Sequence, residues 1–474
     1  MDTDTIAAIS TPSGEGAIGI VRLSGPASLA IARSCFRHKK KKNNNNEDAD
    51  KELAPRKLTY GSIVDEDESI IDEVLICYMP APHTYTREDI VEINAHGGTL
   101  LLRVILKLLI QRGARLAEPG EFTRRAYLNG RIDLIQAESI LSVIEAKSTE
   151  TLKAYQRNLK GSFSEEISEL KSGIHIVLAE IEAGLDFVHD VLDDEVAVYE
   201  AIRQRIEELN KQMDKIIERS KRGGLWRHGL QTVITGRPNV GKSSLYNYLL
   251  GEERAIVTEI PGTTRDLLTE YININGLTLN IIDTAGIHKK GEQDPVEKIG
   301  ISFSGQAIEK ADLIIFILDA STGITEEDIW IYTRYFAQKK ERILFLANKI
   351  DLEDKIDGEA FSGIFNSEPP LKISITAREG LEDIFKAIED NYLNSAASNC
   401  GEESFIILQV REEDLLSRAS FALHNALHAA EESTPADLIT IDLRIAGETL
   451  RDMLGEVVKE DLLDEIFSRF CIGK

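Results

Sequence analysis

Proline is absent between Pro119 and Pro238, and apolar residues recur at helical spacing through most of that stretch. Because proline ends or kinks a helix, its absence over so long a segment permits helices of many turns. A second segment with helical spacing covers residues 391–474. Between the two, short apolar runs alternate with helical patterns, which is typical of a parallel sheet covered by helices. We therefore predict an α/β domain inserted into a discontinuous all-α domain.

The segment before the proline-free stretch has a different pattern. Short apolar runs typical of β-strands occur at 18–23, 74–78 and 90–93, and a helix-like run covers 100–110. This combination predicts an α+β domain. The predicted multidomain chain has four parts: the α+β domain over 1–130, the first part of the helical domain over 131–228, the inserted α/β domain over 229–390 and the second part of the helical domain over 391–474.

The composition of the chain limits which molecules it can bind and in which cellular compartment it is expected. A formal net charge of -25 repels phosphate backbones and acidic lipids, so RNA would need a local basic surface or a partner protein. The low-complexity run HKKKKNNNNEDADK at 38–51 favours a solvated loop. The N-terminus has no features of a secretory signal, and no apolar run reaches the roughly 18 residues of a membrane span. We expect a cytoplasmic protein with no membrane partner.

The four cysteines form no CxxC pair, which argues against a disulfide framework or a zinc site.

The segment GRPNVGKS at 236–243 follows a strand-like run and precedes a helix-compatible one. This is the P-loop pattern in the context that the motif requires. Its glycines let the backbone wrap around phosphates, its lysine reaches the terminal phosphates, and its serine hydroxyl binds magnesium. The residues predicted to contact the nucleotide here are Gly236, Asn239, Val240, Gly241, Lys242, Ser243 and Ser244.

Three further motifs follow in the order expected of a GTPase. DTAG at 283–286 places a carboxylate and a backbone amide at the γ-phosphate. NKID at 348–351 supplies the Asp351 carboxylate, which can accept the N1 and N2 hydrogens that guanine has and adenine lacks. ITAREG fits the last guanine-contacting loop, with Thr376 where many GTPases have serine. The predicted GTP contacts in these motifs are Asp283, Thr284, Ala285, Gly286, Asn348, Lys349, Asp351, Thr376, Ala377 and Arg378.

The stretch TEIPGTTRD at 258–266 is the predicted first switch region, with Thr264 completing the magnesium shell. Its predicted GTP contacts are Thr258, Glu259, Ile260, Pro261, Gly262, Thr263 and Thr264. Ile287 occupies the position where Ras-like enzymes have the glutamine that orients the attacking water. Because an aliphatic side chain cannot polarise water, the catalytic group must come from elsewhere. Glu297 is the candidate, although its position alone favours a solvated helix charge.

With these motifs, the sequence resembles the MnmE (TrmE) family of tRNA-modification GTPases. The motifs GRPNVGKSSLYN, IPGTTRD and DTAGI would also suit the Era and Der GTPases. More specific are CIGK after DLLDEIFSRF, and the N-terminal stretches DTIAAISTPSGEGAIGIVRLSG, EINAHGG and PGEFTRRAYLNGRIDLIQAE. The resemblance covers essentially the whole chain, and the run at 38–51 is its clearest departure.

The resemblance implies an organisation and a reaction. Family members have an N-terminal folate-binding and dimerising domain, a helical domain in two segments, and an inserted Ras-like P-loop G domain. As homodimers in a heterotetramer with the flavoprotein MnmG (GidA), they build a carboxymethylaminomethyl-type group on carbon 5 of the wobble uridine of certain tRNAs. The one-carbon donor is a tetrahydrofolate in its 5-formyl or 5,10-methylene form, and FAD enters only through the partner. This chain is thus expected to be a potassium-stimulated GTPase that uses GTP with Mg²⁺.

The resemblance also implies site residues. The potassium ligands are Asn239, Thr258, Ile260 and Thr263, the magnesium ligands are Ser243 and Thr264, and the folate ligands are Arg22, Glu92, Arg131 and Lys474. A monovalent cation supplies the positive charge that an arginine finger gives elsewhere. The family's water-positioning acid falls on Glu297. Cys471 takes part in modification as a nucleophile or a proton carrier, whereas His96 is better interpreted as structural.

Two other functions are alternatives to this one. A ribosome-assembly GTPase of the Era or Der kind would need a basic RNA-binding domain such as a KH fold, which this acidic chain does not indicate. A folate-dependent aminomethyltransferase without GTPase activity conflicts with the complete set of phosphate, magnesium and guanine motifs.

Overall fold

The computed structural model describes the chain in ranges. These are residues 4–12, 14–39, 53–146, 148–186, 195–251, 269–274, 277–282, 311–336, 342–390, 405–432 and 434–474. The chain divides into two compact units: the first comprises Met1–Ile144, Arg157–Asn210 and Asp414–Lys474, and the second comprises Glu145–Gln156 and Lys211–Glu413. Each unit combines segments that are distant in the sequence. The four predicted domain boundaries stay a prediction.

The first unit contains a seven-stranded sheet in the order β3-β4-β5-β6-β2-β1-β7. Its strands are β1 (Ile6–Ile9), β2 (Gly16–Ser24), β3 (Phe36–His38), β4 (Leu58–Val64), β5 (Ile70–Met79), β6 (Ile90–Gly97) and β7 (Arg115–Leu116). Neighbouring strands are antiparallel except β1 and β7, which are parallel. The predicted runs at 18–23, 74–78 and 90–93 lie in β2, β5 and β6.

Two helices pack on this sheet: α1 (Ser28–Cys35) and α2 (Thr99–Gln111). In β2 the buried Val21 and Leu23 flank the half-buried Arg22, because successive strand residues point to opposite faces. Val21 and Leu23 join Leu109 of α2 in one apolar core. The α+β prediction for this part of the chain is therefore confirmed. The predicted loop at 38–51 lies outside the described residues except for His38, which ends β3, and Lys39.

Helices occupy the described part of the proline-free stretch up to residue 228. They are α3 (Glu121–Leu128), α4 (Leu134–Glu145), α5 (Thr149–Leu159), α6 (Ser162–Asp186) and α7 (Glu195–His228). In α6, the buried residues Ile167, Ile174 and Ile181 are seven positions apart and so share one face. The predicted long amphipathic helices are confirmed. None of the helices in the described ranges combines the length and the apolar character that a membrane span needs.

The second unit contains a six-stranded sheet in the order β13-β12-β11-β8-β10-β9. Its strands are β8 (Leu230–Thr235), β9 (Thr269–Ile274), β10 (Leu277–Ile282), β11 (Leu313–Asp319), β12 (Ile343–Asn348) and β13 (Leu371–Lys372). The accompanying helices are α8 (Lys242–Gly251), α9 (Glu326–Tyr335), α10 (Gly358–Phe365) and α11 (Leu381–Glu389). All neighbouring strands are parallel except β9 and β10. Every residue of β11 is buried, as expected of a parallel strand covered on both faces. The predicted parallel sheet is confirmed.

Three helices follow residue 405: α12 (Val410–Glu431), α13 (Ala436–Leu454) and α14 (Glu460–Ser468). Helix α13 packs against α6, where Gly447 lies opposite Ile174. The helical segment predicted from the sequence is interrupted between α13 and α14. Gly455 adopts a left-handed conformation with φ of 81°, which ends α13 at this point.

Candidate nucleotide-binding site

The P-loop joins β8 to α8 and lies at the carboxyl ends of the parallel strands, the usual ligand side of such a sheet. Gly236 and Gly241 have φ angles of 143° and 108°, which L side chains rarely adopt. A Cβ atom on Gly241 would lie 2.3 Å from Nδ2 of Asn348. The loop can therefore approach the end of β12 only with glycine at this position.

Lys242 folds back over the loop that precedes it. Its Nζ donates hydrogen bonds to the carbonyl oxygens of Gly236 and Arg237, both at 2.8 Å. Burial lowers the pKa of Lys242, and the negative charge of Glu327 opposes that shift. The ammonium group is thus held within the P-loop, where a phosphate would bind.

The other predicted phosphate contacts differ in exposure. Asn239 is exposed and left-handed, with a φ of 64°, and Val240 is buried beneath the loop. Ser243 and Ser244 are exposed in the first turn of α8. The N-terminus of a helix offers unpaired N–H groups and positive potential, so this turn suits an anionic ligand.

Asn348 connects the P-loop with the predicted guanine loop. Its side chain is 4% exposed. Nδ2 donates to the carbonyl of Val240 at 2.8 Å, and Oδ1 accepts from the backbone N–H of Ile375 at 3.2 Å. The buried amide of Asn348, in the NKID motif, therefore contacts both the P-loop and the ITAREG loop. This contact explains why an asparagine is needed at the end of β12.

Lys349 follows Asn348 and forms an ion pair with Asp319, at 2.7 Å between Nζ and Oδ2. Asp319 is 6% exposed and ends β11. Burial acts to raise the pKa of Asp319, but hydrogen bonds from Lys349 and Ser321 outweigh burial and lower it. Sequence reasoning missed Asp319. The sequence feature that could have identified it is an acidic residue at the end of an otherwise apolar strand, next to the strand that carries NKID.

Asp351, the predicted guanine-reading residue, is exposed and accepts a hydrogen bond from the hydroxyl of Ser374. Thr376, Ala377 and Arg378 are exposed as well, as expected of a loop that contacts a ligand. Ser374 was also missed, because it lies just before the recognised motif.

Arg237 belongs to the P-loop but is held by α9. It donates to the Thr322 hydroxyl, and its Nε lies 3.5 Å from Oδ2 of Asp328. Asp328 is fully buried and caps α9 by accepting from the backbone N–H of Thr325 at 3.0 Å. Arg237 therefore anchors the loop to the sheet's helix layer.

Several predicted residues lie outside the described ones. They are Thr258, Glu259, Ile260, Pro261, Gly262, Thr263, Thr264, Asp283, Thr284, Ala285, Gly286, Ile287 and Glu297. The predictions for the first switch, the DTAG motif and the catalytic glutamate therefore stay predictions.

A second cluster of predicted residues lies in the first unit. Arg22 and Glu92 face each other across β2 and β6, with Nη2 and Oε1 at 2.8 Å. The guanidinium of Arg22 lies 5.7 Å from the ring centre of Phe122 and 3.4 Å from the carbonyl oxygen of Gly473. The backbone N–H of Phe122 donates to the carbonyl of Lys474 at 3.2 Å. Arg22 and the backbone of Lys474 thus both contact Phe122, and Glu92 pairs with Arg22.

Arg131 reaches the same cluster through Tyr85. Its guanidinium lies 4.7 Å from the centre of the Tyr85 ring, and Nη1 donates to the carbonyl of Tyr85 at 3.1 Å. Burial raises the pKa of Tyr85, and the charges of Arg131 and Arg22 oppose the increase. Arg131 therefore lies over the ring of Tyr85, as Arg22 lies over the ring of Phe122. Tyr85 and Phe122 were missed because aromatic residues of this kind are more often part of a core.

Cys471 is exposed and lies in the tail that carries Lys474. Its carbonyl accepts from the backbone N–H of Lys474 at 3.3 Å, and Ile472 forms an isolated bridge with Pro119. These backbone contacts hold the tail that carries Cys471 beside the segment that leads into α3. His96 instead contacts Asp72, at 2.7 Å between Nδ1 and Oδ1, which supports its structural interpretation.

The sheet, the P-loop and the guanine loop together define a P-loop protein of the GTPase class. Residues 5–131 match the family model of the GTP-binding protein TrmE N-terminus, and residues 134–471 match that of the MnmE helical domain. The tRNA modification GTPase MnmE of Clostridioides difficile (strain 630) is 44% identical over 99% of both chains. That of Staphylococcus aureus (strain Newman) is 40% identical over 100% of both chains.

The chain therefore belongs to the MnmE family of tRNA modification GTPases, and the family prediction is confirmed. The family's TrmE N-terminal domain, helical domain and GTPase function fit the multidomain layout. Among solved structures, the G domain of the T. maritima FeoB iron transporter is 28% identical, covering 34% of this chain and 96% of that one. Its TM-score of 0.26 is too low to support a conclusion.

Proposed function

We propose that this chain is a cytoplasmic, potassium-stimulated GTPase that modifies carbon 5 of the wobble uridine of certain tRNAs, together with the flavoprotein MnmG. The observation that carries the GTP part is the Asn348 side chain, which joins the P-loop to the guanine loop through two hydrogen bonds. A loop that binds phosphates and a loop that recognises a base must be held at a fixed distance to select one nucleotide.

The residues at the P-loop fit GTP with Mg²⁺. The first turn of α8 offers backbone N–H groups to phosphates, and the exposed Ser243 supplies the hydroxyl oxygen that magnesium prefers. Lys242 holds its charge beside them. Asp351 is proposed to accept the two N–H groups of guanine.

Potassium fits the exposed Asn239, whose side-chain oxygen can bind a cation. A potassium ion supplies positive charge beside the phosphates when it is bound. Thr258, Ile260 and Thr263 are the further proposed ligands, and Glu297 is proposed to position the attacking water. We expect GTP turnover to be at least about tenfold faster in potassium than in sodium at equal ionic strength. Equal rates would remove potassium from the proposal.

The N-terminal cluster fits a tetrahydrofolate. A pterin has an amidine-like edge that a carboxylate such as Glu92 can bind in two places, and its glutamate tail suits Arg22, Arg131 or Lys474. The rings of Tyr85 and Phe122 offer apolar surface beside these charges. A bound tetrahydrofolate supplies the one-carbon unit. Cys471 lies on the adjoining tail, where an exposed thiol can act as nucleophile or proton carrier.

The sheet of the first unit supports a homodimer. Leu58 and Tyr60 of β4 and Leu75 of β5 share one face, because Tyr60 and Leu75 are directly paired and Leu58 is two residues from Tyr60. All three are exposed, as is Ile18 of β2. Exposed apolar side chains grouped on a sheet are typical of an interface.

Since the chain carries a net charge of -25, we propose that the partner flavoprotein contributes much of the basic surface that tRNA needs.

Nucleoside mass spectrometry of bulk tRNA tests the tRNA part. Cells lacking the gene are complemented with the wild-type chain or with Cys471→Ser. Restoration of the modified wobble uridine by the wild type alone supports the proposal and gives the thiol a chemical role. An unchanged wobble nucleoside in the deletion strain would contradict the proposed modification and leave the GTPase activity alone.

A further inference from the structure

The chain enters the sheet of the second unit from α7 and returns from it to α12, and these two connections lie side by side. The last turns of α7 lead through Gly229 into β8, and residues 405–408 (the returning segment) lead towards α12. Both belong to the second unit, which includes α7 from Lys211 onward and α12 as far as Glu413. One end of each helix is therefore part of the unit that carries the P-loop.

The returning segment is held along the last turns of α7 by backbone contacts. The N–H of Ile406 donates to the carbonyl of Arg219 at 3.2 Å. Nη1 of Arg227 donates to the carbonyl of Leu408 at 2.7 Å. A Cβ atom on the buried Gly223 would lie 1.9 Å from the carbonyl oxygen of Ile406. The segment can therefore approach the helix this closely only with glycine at this position.

Two stacked aromatic rings add to this contact. The rings of Trp226 and Phe405 have centres 5.1 Å apart and an interplanar angle of 3°. Trp226 also packs against the apolar core of the sheet, which contains Leu230 of β8. The carbonyl of Trp226 accepts a hydrogen bond from the hydroxyl of Thr151 in α5 at 3.3 Å. Three segments that are distant in the sequence thus meet at Trp226.

The aliphatic residues of the returning segment are buried. Ile406, Ile407 and Leu408 are 4%, 1% and 1% exposed. Separating the segment from α7 would expose these side chains to water and break the backbone contacts with Arg219 and Arg227. We therefore expect the contact to stay closed in every nucleotide state.

We propose that the α7 clasp, formed by Gly223, Trp226, Arg227 and residues 405–408, is a rigid connection that transmits nucleotide-dependent changes of the second unit to α7 and α12 together. Helix α7 has 34 residues and α12 has 22, and both continue into the first unit. Rigid helices can carry coupling over such lengths. This inference rests on the proposed function and names the element that joins GTP turnover to tRNA modification.

Tryptophan fluorescence tests whether the clasp stays closed. The chain has two tryptophans, so Trp330→Phe leaves Trp226 as the only emitter. We expect the same emission maximum with GDP and with a non-hydrolysable GTP analogue, both in Mg²⁺ and K⁺. Adding Phe405→Ala should shift the maximum to longer wavelength, because loss of the stacked ring exposes the indole to water. A nucleotide-dependent shift in Trp330→Phe alone would overturn the rigid connection.

Activity measurements test the coupling in the full chain. Phe405→Ala removes the stacked ring, whereas Phe405→Tyr keeps it and is the matched control. We expect Phe405→Ala to keep GDP affinity and basal GTP turnover within about twofold of wild type, and to restore about tenfold less modified wobble uridine in the deletion strain. Phe405→Tyr should restore the wild-type level.

Thermal unfolding checks that each variant is folded, and Phe405→Leu replaces the alanine variant if that one is not. Wild-type modification in the folded variant without the ring overturns the inference. So does a loss of GTP turnover that equals the loss of modification, because the ring would then only support the nucleotide site. If the wild-type chain itself restores no modified uridine, the proposed function fails, and the fluorescence comparison still decides whether the clasp is rigid.

Discussion

The nucleotide site and the N-terminal cluster are built from different kinds of groups. In the nucleotide site, Lys242 and Asn348 bind backbone carbonyls, and Gly241 permits the close contact between loop and strand. In the N-terminal cluster, Arg22 and Arg131 also contact backbone carbonyls, but their ion pair and ring contacts are made with side chains from separate segments. A site made of backbone groups demands a fixed loop sequence, whereas a site made of side chains demands only their meeting in the fold.

The largest effect is expected at Arg125, which is 7% exposed. Arg125 forms ion pairs with Asp4 at 2.6 Å, Glu121 at 2.9 Å and Glu88 at 3.2 Å, and so connects α3, which carries Phe122, with the loop after Tyr85. Arg125→Met removes one cation from three carboxylates, of which Asp4 and Glu121 keep their ion pairs with Arg115. We expect it to lower the unfolding free energy by about 3 kcal/mol, the lower end for breaking a buried ion pair, measured by urea denaturation.

A matched control for Arg125→Met is Arg203→Met. The ion pair of Arg203 with Glu200 lies at the surface, so this variant should leave the stability nearly unchanged. Affinity for GDP should survive in Arg125→Met, because Arg125 supports the other site. Equal loss of folate and GDP binding would contradict the independence of the two sites.

Gly241→Ala tests the backbone-built site. Its Cβ would lie 2.3 Å from Asn348 Nδ2, and its φ of 108° disfavours any side chain. We expect the affinity for GDP to fall at least about 100-fold, measured by calorimetry. Gly363→Ala is the control, because nothing lies within 4 Å of an added Cβ there. An equal loss in both variants would show that the close contact is not the cause.

Gly473→Ala makes the equivalent change in the N-terminal cluster. The φ of Gly473 is 95°, and an added Cβ would lie 2.4 Å from the carbonyl oxygen of Ile9. The tail that carries Gly473 can shift further than the P-loop, which is fixed between β8 and α8. We therefore expect a smaller effect than in Gly241→Ala, about a tenfold loss of affinity for 5-formyltetrahydrofolate. Intrinsic fluorescence titration measures it. Unchanged folate affinity would place the tail outside the site.

Asp319→Asn should give the smallest effect, with a pH dependence of known sign. The folded state lowers the pKa of Asp319 below its usual 3.8, so the stabilisation is complete above that value and disappears as the pH falls through the lower, folded value. We expect the variant to be less stable at pH 7 by about 1 kcal/mol or less, and this difference to shrink below about pH 4. Urea unfolding across this range measures it. A difference that grows in acid would contradict the ion pair with Lys349.

The sequence predicts the parallel sheet and the P-loop because their requirements are local. The strand, the glycines and Lys242 lie within one short segment. Asp319 and Ser374 could not be predicted in the same way, because their roles depend on Lys349 and Asp351, which lie 30 and 23 residues away. Tyr85 and Phe122 are harder still. Nothing in their own neighbourhood indicates that Arg131 and Arg22 lie beside their rings.

The contact between Arg22 and Gly473 spans 451 residues, which has a consequence for the synthesis of the protein. At about 5–20 residues per second, a ribosome takes roughly 20–90 s to make the intervening chain. The N-terminal sheet is therefore made long before the segment that completes its cluster. A nascent chain that stops early can carry a finished nucleotide loop, yet it has no tail to place against Ile9 and Phe122. The cluster can therefore close only after synthesis has passed Gly473.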